Sequence, residues 1–187
     1  MSSFRGSVCL LVLLGAVFAS GSPAQFIPDQ LKQTHKSIAD VLELTRSDIV
    51  VNPLFSSVIR SINTSLQRKE AQLMNVTLDV YMQIFSSILQ QHHDNTGTPT
   101  LLSHLTEAER SKVESALKFF QQKIKVLKRR LSQQANDRED VISELNKIQV
   151  DDPEAQRKAL AQFLEIYQEA SVICSRMWRP AHSSSAE

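Results

Sequence analysis

The chain has 187 residues, of which 42% are hydrophobic, so it can bury the core of one ordinary domain. Glycine is rare, with 4 residues, and β-branched runs are few, which favours an all-α fold over a sheet. The formal net charge of +1 is too small for a general nucleic-acid-binding protein.

The N-terminus predicts a cleavable secretory signal. Arg5 forms a short positive region, residues 8–18 are apolar, and small residues follow. We place the signal peptide at residues 1–21, with the cleavage point within residues 19–24, and the helical domain at residues 22–179. Because the apolar run is shorter than the roughly 20 residues of a membrane span, we expect a secreted, extracellular protein without membrane insertion.

Cys174 is expected to be the one cysteine of the mature chain, because Cys9 lies in the leader. No internal disulfide is then available, so stability must come from apolar burial. We expect a buried free thiol at Cys174, and a bridge between two chains is the alternative.

The mature chain opens with a predicted helix that carries Leu31 and Ile38 at helical spacing. Residues 45–52 are predicted to form a loop that exposes more apolar surface than a polar linker would. Asn52 followed by Pro53 predicts the N-cap and the first position of a second helix.

A third helix is predicted over residues 71–90, with apolar side chains on most of its circumference. Such a helix is buried, so we expect it at the centre of the fold, with more cover than a small monomer readily supplies. Two sequons, at Asn63 and Asn75, are predicted acceptors of N-linked glycan in a secreted chain.

No pattern typical of catalysis or metal binding occurs in the chain. Residues 91–99 are predicted to form a loop that contains His92, His93 and Asp94, but adjacent side chains point apart and no fourth ligand is evident. We also find no Gly-rich phosphate loop, paired-histidine zinc motif or nucleophile elbow. The protein is therefore predicted not to be an enzyme and to use no cofactor.

A capping box, Thr106 with Glu109, predicts the start of a long fourth helix. No acid occurs between Glu114 and Asp137, and a cationic cluster falls in this gap. The candidate contacts of the cluster are Lys118, Lys125, Lys128 and Arg129. They could bind heparan sulfate or an acidic receptor face. The alternative is a solvated surface near a helix C-terminus, where the helix dipole favours cations.

A short fifth helix is predicted around Val141 and Leu145. Asp152 and Pro153 predict the cap and the start of a sixth helix. Residues 180–187 are polar and are predicted to form a disordered tail. The chain is thus predicted to contain six helices and no strands.

The sixth predicted helix carries the segment AQRKALAQFLEI, residues 155–166, which resembles the signature of the type II interferon (interferon gamma) family. The residues that fit are Gln156, Lys158, Ala159, Phe163 and Ile166. Two residues depart from the signature: Ala155 stands where the family has Ile or Val, and Gln162 stands where it has Glu.

Two other segments are similar to the same family, in the same order along the chain. Ser47-Asp48-Ile49 with Leu54-Phe55 resembles its first interhelical loop, and LDVYMQIFSSI, residues 78–88, resembles its aromatic third helix. The dense basic tail that is usual in the family is absent here. The chain looks like a fish-type interferon gamma or an interferon-gamma-related protein.

This resemblance implies a six-helix cytokine that forms an intertwined homodimer. It implies binding to an interferon gamma receptor-like class II cytokine receptor, with Janus kinase and STAT signalling in immune and antiviral defence. The implied receptor-binding residues are Ser47, Asp48, Ile49, Val50 and Val51, with Arg157 and Ala161 on the sixth helix. For residues 49–51, the alternative is a loop packed against its own core.

Two further classes of function remain open on the residues alone. One is another helical cytokine, either interleukin-10-like or of the monomeric four-helix type. The other is a lipid-binding protein built from amphipathic helices, which the predicted fixed core disfavours. Solution mass and cooperative melting would distinguish these classes from a dimeric cytokine.

Overall fold

The computed structural model of the protein describes residues 27–62, 67–91, 100–132 and 145–177. All regular elements in these ranges are helices, which confirms the all-helical prediction. They are α1 (Asp29–Ala39), α2 (Ser56–Ile62), α3 (Gln67–Gln90), α4 (Glu107–Ser132) and α5 (Pro153–Met177), with a five-residue helix, Ser47–Val51, between α1 and α2. We name this short element the connecting helix. No helix in the described ranges is long and apolar enough to span a membrane.

Several sequence predictions lie outside the described residues. They concern the signal peptide, the sequon residue Asn63, the histidines of residues 92–99, and the tail from residue 180. Most of the predicted fifth helix also lies outside, because the structure describes only the part from Leu145 onward. The predicted count of six helices therefore stays a prediction.

α3 lies at the centre of the fold, as its apolar circumference predicts, and packs against α2, α4 and α5. Its buried face carries Leu73, Met74, Leu78, Val80, Tyr81, Ile84, Phe85 and Ile88. Between residues 69 and 90, exposed side chains occur at Lys69, Gln83 and Gln90. A single chain thus covers α3, so the burial of this helix does not require a second chain, contrary to our expectation.

Aromatic rings fill the interior where α3, α4 and α5 meet. The rings of Phe120 and Phe163 lie 4.5 Å apart between centroids, and Phe85 contacts both, at 6.1 and 5.6 Å. Tyr81 stacks on Phe55, which precedes α2, at 4.7 Å. Aromatic pairs at such separations contribute roughly 0.5–1.5 kcal/mol each beyond the area that they bury. The cluster therefore holds the three long helices and the start of α2 together.

Three polar pairs along one edge set the register of α3 against α4. They are Asp79 with Lys128, Ser86 with Gln121 at 3.2 Å, and Asn75 with Ser132 at 3.4 Å. Successive pairs are four and seven residues apart on each helix, in opposite chain directions, so the helices are antiparallel and the pairs follow one line. A shift of one residue along the axis would break all three contacts.

α5 is also antiparallel to α3. The Tyr81 hydroxyl donates to the carbonyl of Ala159 at 3.0 Å, and Arg176 lies 3.3 Å from the carboxylate of buried Glu70. Because α4 and α5 both run opposite to α3, they are parallel to each other. The end of α4 and the start of α5 therefore lie at opposite ends of the bundle.

The predicted starts of α4 and α5 are confirmed. The Thr106 amide donates to Glu109 Oε2 at 3.0 Å, and the Glu109 amide donates to Thr106 Oγ1 at 3.4 Å, which completes the capping box. The Ala155 amide donates to Asp152 Oδ2 at 2.8 Å. An N-cap of this kind typically stabilises a helix by about 1 kcal/mol.

The start of α2 differs from the prediction. Asn52 ends the connecting helix, with φ −117° and ψ 76°, and α2 begins at Ser56, three residues after Pro53. The Phe55 amide donates instead to the side chain of Gln162, and the Phe55 ring is fully buried. Tertiary contacts of Phe55 thus override the local Asn-Pro signal.

Cys174 is a buried free thiol on α5, as expected. Its sulfur lies 3.9 Å from the carbonyl oxygen of Leu127 on α4. Burial raises the pKa of the Cys174 thiol, although the nearby Arg130 opposes the shift. A bridge to a second chain would require this packed sulfur to leave the core.

Candidate functional site

The segment 45–52, predicted as a loop, contains the connecting helix. The amides of Ile49 and Val50 both donate to the carbonyl of Arg46 at 3.1 Å, which closes its first turn. Ile49 is only 3% exposed, whereas Val50 is 59% and Val51 74% exposed. The alternative of packing against the core therefore holds for Ile49, whereas Val50 and Val51 face solvent, and receptor binding by the valines stays a prediction.

Val50 and Val51 form an exposed apolar pair. In the part of the chain that the structure describes, the remaining exposed large hydrophobic side chain is Val126, at 47%. Single exposed apolar side chains are common on protein surfaces, but a contiguous pair with a polar rim is typical of a contact site. Ser47 and Asp48, on the same short helix, are exposed and supply part of such a rim.

A Schellman motif after α1 brings the chain to the connecting helix. The Leu44 amide donates to the carbonyl of Ala39 at 2.9 Å, and the Glu43 amide donates to that of Asp40 at 3.3 Å. Glu43 has a φ of 54°, in the left-handed region where glycine is the usual residue. This conformation costs a residue with a Cβ atom roughly 1 kcal/mol.

Arg46 pairs with the two acids beside the valines. Its Nη1 lies 3.1 Å from Glu43 Oε2, and its Nε and Nη2 donate to the two carboxylate oxygens of Asp48 at 3.1 and 2.9 Å. The hydrogen bonds from Arg46 lower the pKa of Asp48. Because these groups are exposed, they add little stability. One guanidinium paired with two carboxylates leaves the surface around the valines polar, with a net charge of −1 on these three groups.

Buried contacts hold both the connecting helix and Phe55, the residue before α2. The helix packs against α5. The Phe55 amide donates to Gln162 Oε1 at 2.9 Å, and the Phe55 ring stacks on Tyr81, whose hydroxyl is bonded to Ala159. Burial raises the pKa of Tyr81 well above its usual value, so its hydroxyl stays protonated and donates. The segment that carries the exposed valines is therefore fixed by buried contacts on its inner side.

The residues that match the interferon gamma signature are mostly core residues. Gln156, Ala159, Phe163 and Ile166 are buried. Lys158 forms an ion pair with Glu154 at 2.6 Å, one helical turn earlier. The similarity in this segment therefore lies in the packing of α5 rather than in a surface.

Arg157 and Ala161, the other implied receptor contacts, lie on α5, the helix against which the connecting helix packs, and Ala161 packs against the core. They are four residues apart, so they share one face. Both are half-buried. Arg157 Nε is buried without a hydrogen-bond partner, so this guanidinium is less accessible than the valine pair.

Three of the four predicted cationic contacts form an exposed row on α4. Lys118, Lys125 and Arg129 share one face, and none of them forms an ion pair within the described residues. Lys128 differs from the prediction, because its side chain is only 25% exposed and donates to Asp79 on α3. Its position on the edge of the buried stripe places it in the α3–α4 contact. We name the three exposed residues the basic face.

Asn75 lies within α3 and is half-buried, with its side-chain oxygen accepting a hydrogen bond from Ser132. Thr77, of the same sequon, is fully buried and donates to the carbonyl of Leu73 at 2.9 Å. Glycosylation at Asn75 stays a prediction, and a glycan there would have to be added before α3 packs.

His35 makes a structural contact between two helices. His35 Nε2 lies 2.7 Å from the carbonyl oxygen of Leu160, to which it donates, so it joins α1 to α5. Among the described residues, no group of three or more His, Cys, Asp or Glu side chains is placed to hold a metal ion.

Gln162 is the site residue that sequence reasoning missed. It stands within the apolar stripe of α5, three residues after Ala159 and four before Ile166. A polar residue at a core position needs a hydrogen-bond partner, and this signal was available in the sequence. The identity of the partner was not, since Phe55 lies 107 residues away.

Comparison with known proteins leaves the interpretation to the geometry and to the sequence motifs. No protein-family model, no curated protein and no solved structure matches the chain.

Proposed function

We propose that the protein is a secreted, interferon-gamma-like cytokine whose receptor-binding surface is centred on the connecting helix. The observation that carries this proposal is the exposed pair Val50–Val51 on a helix that Ile49 anchors in the core. Two motifs that resemble the type II interferon family support it, namely the connecting segment itself and the α5 segment. An all-helical fold is consistent with a helical cytokine.

The valine pair would be the hot spot of this surface. Burial of one valine side chain contributes about 1.5 kcal/mol, so the pair can account for about 3 kcal/mol, or roughly a hundredfold in affinity. Asp48 and Arg46 are already paired, so they would form a rim that excludes water rather than a strong charge contact. Arg157 and Ala161 would extend the surface along α5.

The partner would be an interferon gamma receptor-like class II cytokine receptor. A homodimer would present two copies of the surface and bring two receptor chains together, with Janus kinases and a STAT factor acting downstream. The dimer rests on the family resemblance, because a single chain already covers α3.

The test compares valines at two sites. The variant Val50→Ala/Val51→Ala should lose about 3 kcal/mol of affinity for a class II cytokine receptor ectodomain, while its melting temperature stays nearly unchanged. Val126→Ala, which truncates an exposed valine on α4, is the matched control and should bind as the parent does. Equal binding by all three proteins would show that the connecting helix is not the receptor site.

The alternative classes predict different solution behaviour. A monomeric four-helix or interleukin-10-like cytokine would differ from the proposed dimer in the mass of the deglycosylated protein. A lipid-binding protein would lose cooperative melting when delipidated. A dimer that melts cooperatively without lipid supports the proposal, and a signalling-competent monomer would exclude the intertwined arrangement.

We propose a second, independent function for the basic face, which is binding of heparan sulfate. The supporting observation is that Lys118, Lys125 and Arg129 lack acidic partners within the described chain, whereas Arg46, Lys158 and Arg176 are all paired. The three cations run along about 16 Å of the helix axis, which suits a linear polyanion.

Heparin retention tests this second function. Replacing Lys118, Lys125 and Arg129 by Gln should remove most of the retention. Replacing Lys32, Lys36 and Lys69 by Gln makes the same change in charge at other exposed sites and should have little effect. Equal losses in the two variants would mean that net charge, and not the basic face, governs retention.

A further inference from the structure

Gln162 is a polar residue in the buried stripe of α5, and no contact of the proposed receptor surface involves it. Its side chain is 8% exposed, and its Oε1 accepts the hydrogen bond of the Phe55 amide at 2.9 Å. A backbone amide can only donate, so the amide oxygen, and not the nitrogen, must face Phe55. The bond links α5 to a segment 107 residues earlier in the chain.

Phe55 is the residue immediately before α2, in its N-cap position. Its carbonyl accepts a hydrogen bond from the Ile59 amide at 3.1 Å, which closes the first turn of α2. The amides at a helix start have no partner within the helix, and a polar side chain just before it usually supplies one. The amide of the residue before a helix is satisfied in a capping box by the side chain three residues later, but that residue here is Val58, which has no acceptor, so Gln162 satisfies the Phe55 amide from a different helix.

This cap lies close to the exposed valines along the chain. Only residues 52–54 separate the connecting helix, which ends at Val51, from Phe55. Ile49 holds the middle of the connecting helix in the core, and Phe55 holds the chain that leaves it. The Phe55 ring lies against Tyr81, but a ring contact restricts the direction of the backbone less than a hydrogen bond does.

We propose that Gln162 is a positioning residue that sets the pose of Val50 and Val51 on α5 without contacting the partner. The role in recognition rests on the proposed function of the connecting helix, whereas the anchoring of Phe55 does not. Without the acceptor, the buried Phe55 amide would have to find water, and the segment that carries the valines would sample more than one conformation.

Hydrogen exchange tests the anchor without any partner. Gln162→Met keeps the length of the side chain and removes the acceptor, whereas Gln162→Glu keeps an acceptor oxygen. The Phe55 amide should exchange at least about tenfold faster in Gln162→Met than in the parent, and within about threefold of the parent in Gln162→Glu. Unchanged exchange in Gln162→Met would overturn the proposal. If that variant does not melt cooperatively, Gln162→Asn, which withdraws the acceptor by one methylene, replaces it.

A double-mutant cycle tests the role in recognition, with a class II cytokine receptor ectodomain as the probe. Gln162→Met should weaken binding about tenfold, and Gln162→Glu should bind within about threefold of the parent. In the Val50→Ala/Val51→Ala background, Gln162→Met should cost less than about threefold more, because the two changes act on the same contact.

The outcomes separate this inference from the proposed function. If the valine variant loses affinity and Gln162→Met does not, the receptor surface stands and the positioning role is wrong. If the two losses multiply fully, Gln162 acts elsewhere and the positioning role is again wrong. If the valine variant binds normally, the proposed function fails, and faster Phe55 exchange would still support Gln162 as the anchor of the connecting helix.

Discussion

The connecting helix and the basic face of α4 are both exposed surfaces, but they are built in opposite ways. Beside the connecting helix, Arg46 pairs with its two acidic neighbours, and the valines are the exposed groups left without partners. On α4, the buried stripe faces the core, and the three cations of the basic face form no ion pair within the described residues. The first surface suits a fitted apolar contact, whereas the second suits attraction over a distance.

The two surfaces also depend differently on the interior. α4 has 26 residues, and its stripe from Val113 to Leu131 is buried along the whole length of the basic face. The basic face therefore lies on one long, regular helix. The connecting helix has 5 residues, which is too short for a stable helix alone, and it depends on contacts with α5. Core changes should therefore disturb the apolar surface more than the basic one.

The largest expected effect is that of Phe55→Ala. Removal of a fully buried ring that stacks on Tyr81 should lower the free energy of unfolding by about 3–5 kcal/mol, whereas Val126→Ala should change it by less than about 0.5 kcal/mol. Urea denaturation measures both. A cost below about 1 kcal/mol for Phe55→Ala would show that the connecting helix is not coupled to the core in the way that its contacts indicate.

The next largest effect is that of salt on the affinities of the two surfaces for their partners. Between 0.1 and 1 M salt, the Debye length falls from about 10 Å to about 3 Å, so attraction between the basic face and a polyanion is screened. Heparin affinity should fall by more than about tenfold, and receptor affinity by less than about threefold. The comparison of the two surfaces breaks down if both affinities fall together.

Acid should loosen the contact between α1 and α5. Burial lowers the pKa of His35 below its ordinary value of 6.5, against the effect of the hydrogen bond to Leu160. The folded protein therefore binds fewer protons at this site than the unfolded chain, so the contribution of His35 to stability is complete above pH 6.5 and declines as the pH falls through that value. Urea midpoints between about pH 7.5 and pH 5 should fall less steeply in His35→Gln. Parallel pH profiles of the parent and His35→Gln would exclude His35 as the cause of the loss of stability in acid.

The smallest effect is expected for Glu43→Gly. Glycine removes the cost of the left-handed conformation, and the lost ion pair with Arg46 is exposed, so a gain of about 0.5 kcal/mol should remain. Glu43→Gln keeps the conformation and removes the charge, so it should change stability by less than the glycine variant does. Thermal melting distinguishes them, and destabilisation by glycine would mean that the ion pair outweighs the backbone strain.

Much of the fold could be predicted because its signals are local. The capping box at Thr106 and Glu109 and the start of α5 at Asp152 each lie within four residues of the helix that they begin. The burial of α3 followed from its apolar circumference. The prediction that α2 starts at Asn52 and Pro53 was wrong, because the Phe55 amide donates to Gln162, which is distant in the chain, and α2 begins after Phe55. The prediction of Lys128 as an exposed cationic contact was wrong because its ion-pair partner, Asp79, lies on another helix.

The sequence by itself determined the all-helical class and the centre of the fold, since periodicity and composition act over a few turns of chain, and the family resemblance selected the segment that carries the candidate surface. Tertiary structure alone decided which side chains of that segment are exposed. Ile49, Val50 and Val51 have similar side chains, and only the packing of the connecting helix against α5 buries the first and exposes the others. Burial is a property of neighbours in space, and those neighbours come from residues more than a hundred positions away.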